Sequence, residues 1–144
     1  MITKWFDQFE KGDIQTTRAR TITETDVVMF SMFSGDWYPV HTDREYAKSS
    51  PFGERIAHGM LILSVMTGLV ELNPGFVIAF YGMDKVRFVQ PTKIGDTIHV
   101  ESEVIEVEDK NQNSGVVSFS VEVKNQNDAT VASSVMRMLV AKGE

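Results

Sequence analysis

The stretch that most constrains this chain is Ile56-Ala57-His58-Gly59-Met60-Leu61-Ile62-Leu63-Ser64-Val65-Met66-Thr67-Gly68-Leu69-Val70. Wound as a helix, it carries apolar residues on every face. A helix without a polar side has to be surrounded by other elements. Asn73-Pro74-Gly75 ends it, because proline cannot continue a helix and glycine turns the chain. The rest of the chain must therefore supply an enclosure.

The residues after Pro74 supply it as strands. Phe76 to Tyr81 is a continuous apolar run, which predicts a central strand. Lys85 to Val89 alternates, with Val86 and Phe88 on one side. Ile98, Val100 and Val104 alternate, then Ile105 and Val107 take the opposite phase, which predicts a β-bulge. Asp109 to Gly115 reads as a polar hairpin loop. Val117, Phe119, Val121 and Val123 alternate cleanly, Asn125 to Asp128 is a turn, and Val131 to Val140 is the last strand. With Ile14 to Ile22 at the other end of the chain, this makes about six strands. An antiparallel sheet curled around one buried helix is an α+β arrangement. Its open edges invite a second copy, so a homodimer is expected.

Between the first strand and the buried helix lie two shorter helices. Thr23 and Asp26 form a capping arrangement, with Val28, Met29, Met32 and Phe33 as the apolar face. Thr42 and Glu45 suggest a second cap, for a helix running to about Ser49. The stretch between them, Ser34-Gly35-Asp36-Trp37-Tyr38-Pro39-Val40-His41, reads as a stiff loop. Gly35 stops the first helix, and Pro39 fixes its own backbone and lacks an N–H. Such a loop can aim Asp36 and His41 at one point, as a general acid/base pair requires. It can equally be a surface loop whose Asp caps a turn and whose His is solvated.

Composition narrows the classes. The 144 residues suit one domain, here 1–144, and 42% of them are apolar, enough for a sizeable core. The lack of cysteine removes disulfides, thiolate catalysis and Cys-ligated zinc. A net charge of −6 argues against a nucleic-acid partner. No apolar run reaches the length of a membrane span, and Met1 to Phe6 lacks a signal-peptide layout, so a cytoplasmic setting is expected. No spacing typical of a metal-binding helix is present, and no metal or cofactor is expected.

The block Ser-Gly-Asp-x-x-Pro-Val-His at 34–41, with Ala47 beyond it, resembles the signature of the MaoC-like (R)-specific enoyl-CoA hydratases. Ile56-Ala57-His58-Gly59-Met60-Leu61, Phe88-Val89-Gln90-Pro91 and Gly95-Asp96 extend the resemblance over about residues 10–142. It implies the hot-dog fold, an antiparallel sheet wrapped around one long central helix. It implies Asp36 and His41 as the catalytic pair and the Gly59 N–H as receiver of the thioester oxygen. Thr67 matches a position that holds serine in well-known members. Tyr38 stands where such hydratases usually carry Asn, which would reshape the pocket wall. Tyr38, Thr67 and His58 are the residues expected beside the substrate, with His58 also read as a brace for the helix start.

The implied reaction is hydration of a 2-enoyl-CoA thioester, or the reverse dehydration. It needs a pair of groups around one water, a donor facing the oxygen that collects negative charge, and a dry slot for the acyl chain. Two alternatives stay open: an acyl-CoA thioesterase on the same fold, and a non-catalytic acyl-CoA-binding subunit. Arg44, Arg55, Lys85 and Arg87 could meet the coenzyme's phosphates or lie solvated.

Overall fold

The computed structural model describes residues 1–143. Six strands form the antiparallel sheet: β1 (Ile14–Thr16), β2 (Arg20–Thr21), β3 (Val77–Phe88), β4 (Thr97–Asn111), β5 (Ser114–Lys124) and β6 (Thr130–Ala141). Their spatial order is β1-β4-β5-β6-β3, with β2 pairing beside β1 on β4. Among the described residues a short 3-10 helix (Phe6–Gln8) and four α-helices complete the fold: α1 (Glu24–Ser34), α2 (Pro39–Thr42), α3 (Arg44–Lys48) and α4 (Gly59–Leu69).

The central helix is α4, and it buries Leu61, Ile62, Leu63, Val65, Met66 and Leu69. It packs against Val100, Val104, Val121, Met136 and Met138 of the sheet, all 1% exposed or less, in one continuous core. The enclosure is not complete. Met60, Ser64, Thr67 and Gly68 form an exposed stripe at helical spacing. Three of these four are small or hydroxylated, so the stripe can face open space at little hydrophobic cost.

The strand register reproduces the sequence phase. Val104 faces Phe119 and Glu106 faces Ser118, so Ile105 is the extra residue of the expected bulge. The β4–β5 connection is tighter than the sequence suggested, since Asn111 pairs with Ser114 and Gly115 lies within β5. Gly115 is obligatory there. A Cβ on it would sit 2.1 Å from the ring of the buried Phe6. The first strand is broken in two. Val100 donates its N–H to Thr17 Oγ1, and the side chain replaces a backbone partner between β1 and β2.

Two expectations are corrected. The apolar run 76–81 is not a central strand. It belongs to β3, which is bonded to β6 alone and lies at the sheet edge, leaving Ile78, Phe80 and Tyr81 about half exposed. Continuous apolarity reports burial on two sides, and this chain alone supplies only one. On α1, the inward residues are Val27 and Ser31, both 0% exposed, whereas Met29, Met32 and Phe33 are 63%, 68% and 90% exposed. The inner side of α1 is chosen by a polar contact between Ser31 and His58, which apolar spacing does not register.

Candidate active site

The site begins with the two ends of α1. At its start, Asp26 N–H donates to Thr23 Oγ1 at 3.2 Å and Thr23 N–H donates back to Asp26 Oδ2 at 2.8 Å, the expected reciprocal cap. At its end, Gly35 takes φ 76° and donates to the Ser31 carbonyl. The chain then turns sharply into Asp36, whose N–H donates to Ser34 Oγ at 3.1 Å. Asp36 Oδ1 in turn accepts the Tyr38 N–H at 3.1 Å, so one carboxylate oxygen is held by its own loop and the other is available.

Residues 39–42 form not a loop but one helical turn, α2. Pro39 occupies its first position, where a missing N–H costs nothing and the fixed φ suits a helix. The cap of α3 also differs from expectation. Asp43, not Thr42, accepts the Glu45 and Tyr46 N–H groups. The Thr42 hydroxyl donates instead to the Trp37 carbonyl at 3.0 Å, bracing α2.

On that turn His41 points its Nδ1 at the Ile56 carbonyl, 2.8 Å away. A carbonyl only accepts, so Nδ1 carries the proton and Nε2 keeps a free lone pair. Arg55 fixes the turn from the other side. Its Nε donates to the His41 carbonyl at 2.8 Å and its Nη2 to Glu24 Oε1 at 2.6 Å, tying α2 to α1. Beneath His41 lies His58, 2% exposed, its ring stacked at 3.9 Å and 28°. His58 Nε2 donates to the Asp36 carbonyl at 3.0 Å and lies 3.2 Å from Ser31 Oγ. This contact is what turns Ser31 inward. Burial holds the His58 pKa below the ordinary imidazole value, against the opposing pull of its bond to the Asp36 carbonyl, and the neighbouring His41 lowers it further. The ring is therefore kept neutral. His58 Nδ1 has no partner.

Asp36, His41, His58 and Gly59 converge on one cavity of about 530 Å³. Its apolar wall includes Phe30, Ile62, Phe88 and Val131. An oxygen of Asp36 and ring nitrogens of His41 and His58 lie within 4.8 Å of one another. Two acceptors that share one water at ordinary bond lengths stand roughly 4.5 Å apart, so this spacing fits a single water. The same three side chains are those that could approach a cation here. A second such group, His99 and Glu101 of β4 with Asp128 of the β5–β6 turn, lies away from this cavity, and Lys124 already bonds to its Glu101.

Gly59 is the first residue of α4, and His58 before it offers no side-chain cap. The Gly59 N–H thus lacks an intrahelical acceptor and sits at the positive end of the helix dipole. Sequence reasoning brought Asp36, His41, His58 and Gly59 to one place, and the fold does the same. Tyr38 and Thr67 do not line this cavity. Tyr38 is 56% exposed with its hydroxyl 3.4 Å from that of Tyr46. Thr67 lies on the open stripe of α4, donating to the Ser64 carbonyl, about 12 Å along the helix from Gly59. Ser31 and Phe88 were missed as site residues. Nothing in the sequence marks Ser31, whereas Phe88 stands in the Phe-Val-Gln-Pro block.

Residues 6–127 match the MaoC like domain family. This chain belongs to that family. Among its MaoC-like relatives is 3-hydroxyacyl-thioester dehydratase Z of Mycobacterium tuberculosis, 36% identical over 81% of this chain and 82% of its own length. The (R)-specific enoyl-CoA hydratase of Rhodospirillum rubrum is 35% identical, over 68% and 67%. Protein MaoC of Klebsiella aerogenes is 45% identical, but the chain spans only 29% of it. A monoamine oxidase regulatory protein from Archaeoglobus fulgidus superposes with a TM-score of 0.92 at 39% identity, covering 98% and 96% of the two chains. A Mycobacterium tuberculosis protein described as a double hotdog fold superposes at 0.84 over 97% of this chain and 44% of its own, at 17% identity, which speaks to the fold alone. The architecture is thus the hot-dog fold, and the family places the chain among hydratases and dehydratases. No helix among the described residues is long and apolar enough to cross a membrane.

Proposed function

We propose that this domain, read as a single unit over 1–144, is an (R)-specific enoyl-CoA hydratase working in either direction, as a 3-hydroxyacyl-CoA dehydratase in reverse. The observation that carries this reading is the spacing of the Asp36 carboxylate and a His41 ring nitrogen beside the unpaired Gly59 amide in one cavity. One water donates its two hydrogens to Asp36 and to His41 Nε2. As its oxygen bonds to the β-carbon, His41 takes one proton, and negative charge moves to the thioester oxygen against the Gly59 N–H. The imidazolium, flanked by the carboxylate, returns that proton to the α-carbon. The other hydrogen stays on the new hydroxyl, so one water has been added.

Neutral His58 stacks on His41 and bonds the Asp36 backbone, which supports both groups without adding charge. The reaction needs no cofactor. The acyl-CoA substrate is in keeping with a cytoplasmic setting. A homodimer belongs to the same reading. β3 offers an unpaired edge of 12 residues with apolar side chains exposed, and an antiparallel edge can pair with its own two-fold copy.

Loss of the enoyl absorbance of crotonyl-CoA is the test. Asp36→Asn and His41→Ala should each lower kcat by about 10²–10⁴-fold. Full activity in either ends the mechanism. Release of free thiol would favour a thioesterase, and binding of butyryl-CoA without turnover a non-catalytic subunit.

A further inference from the structure

Gly59 has a neighbour that the acid/base chemistry does not use. A Cβ built on Gly59 would lie 2.7 Å from both Cε1 and Cζ of Phe88. The ring tip therefore occupies the space a side chain would have filled, directly against the start of α4. Its backbone is well held, because Phe88 pairs with Ala132 and the Val89 N–H donates to the Val131 carbonyl at 2.9 Å. Phe88 is 53% exposed. One side meets solvent and the other covers the glycine. Gly59, Phe88 and the catalytic pair line the same cavity.

We propose that Phe88 is the wall that keeps bulk water off the Gly59 amide and so sets the strength of the contact that receives the thioester oxygen. This rests on the hydro-lyase reading. A donor that stays solvated exchanges one hydrogen bond for another and gains little, whereas a dry one acts on developing charge at nearly full strength. A glycine is required at 59 because any larger residue would push the wall away. Phe88 touches the slot rather than the water, and its effect reaches the reaction through the amide.

The test compares Phe88→Ala and Phe88→Leu with the unmodified protein by two measurements. The first is hydrogen exchange of the Gly59 amide. His58-Gly59 is the one His-Gly pair in the chain, so carbonyl-labelled histidine with ¹⁵N-glycine isolates its signal. The second is turnover of crotonyl-CoA. Removal of a whole oxyanion donor costs about 10²–10³ in kcat, so solvating one should cost about 10-fold. Phe88→Ala is expected to speed exchange about 10-fold or more and to lower kcat by about that factor, with a smaller change in KM; Phe88→Leu recovers most of both. Unchanged exchange in Phe88→Ala overturns the proposal, as does faster exchange with unchanged kcat. An unmodified protein that fails to hydrate crotonyl-CoA sinks the hydro-lyase reading instead, and the exchange rates still decide whether the ring shields the amide.

Discussion

Replacing His58 with Phe tests whether a buried neutral imidazole organises the site. The substitution keeps an aromatic ring against His41, 3.9 Å away, and removes the N–H that bonds the Asp36 carbonyl at 3.0 Å. The buried Ser31 hydroxyl loses its partner as well, and an orphaned buried polar group costs about 1–3 kcal/mol, so the variant should be less stable by about that amount at pH 7.5. The pH dependence carries more information. Burial lowers the folded-state pKa of His58, so below its unfolded value the unfolded chain binds more protons than the folded one. Its contribution is fully present above about pH 6.5 and is lost as pH falls below that. The slope is at most about 1.4 kcal/mol per pH unit for one proton. Urea denaturation of both proteins at pH 7.5, 6.5 and 5.5 should show their stability gap narrowing as the solution is acidified. Parallel pH profiles would refute the claim that His58 is held neutral by the fold.

Packing sets three more expectations. Thr23→Ala removes the acceptor for Asp26 N–H and should cost about 1 kcal/mol in chemical denaturation, without moving the acid/base pair. Met66→Ala empties a fully buried position of α4 and should cost about 2–5 kcal/mol by the same measurement. Phe33→Ser, at a residue 90% exposed, should leave the denaturation free energy within about 0.5 kcal/mol of the starting protein.

The sequence by itself determined the elements whose signal is local. A reciprocal cap at Thr23 and Asp26, a left-handed stop at Gly35 and a phase reversal near Ile105 are each complete within a few residues, and each stands where it was expected. Asp36 and His41 also line one cavity, as a stiff segment between them would allow. The local structure of residues 39–42 was misjudged, because a proline that cannot sit inside a helix can still begin one.

Tertiary structure decided what depends on partners far along the chain. Which side of α1 turns inward is settled by Ser31 meeting His58, 27 residues away. Whether β3 is central or at an edge depends on which strand lies beside it, and apolar composition is the same in either case. Gly59 reads as a helix start, but the aromatic ring pressed against it comes from a strand 29 positions later. Local propensity acts over a turn or two of backbone, whereas a dry, shaped pocket exists only when distant segments exclude water together.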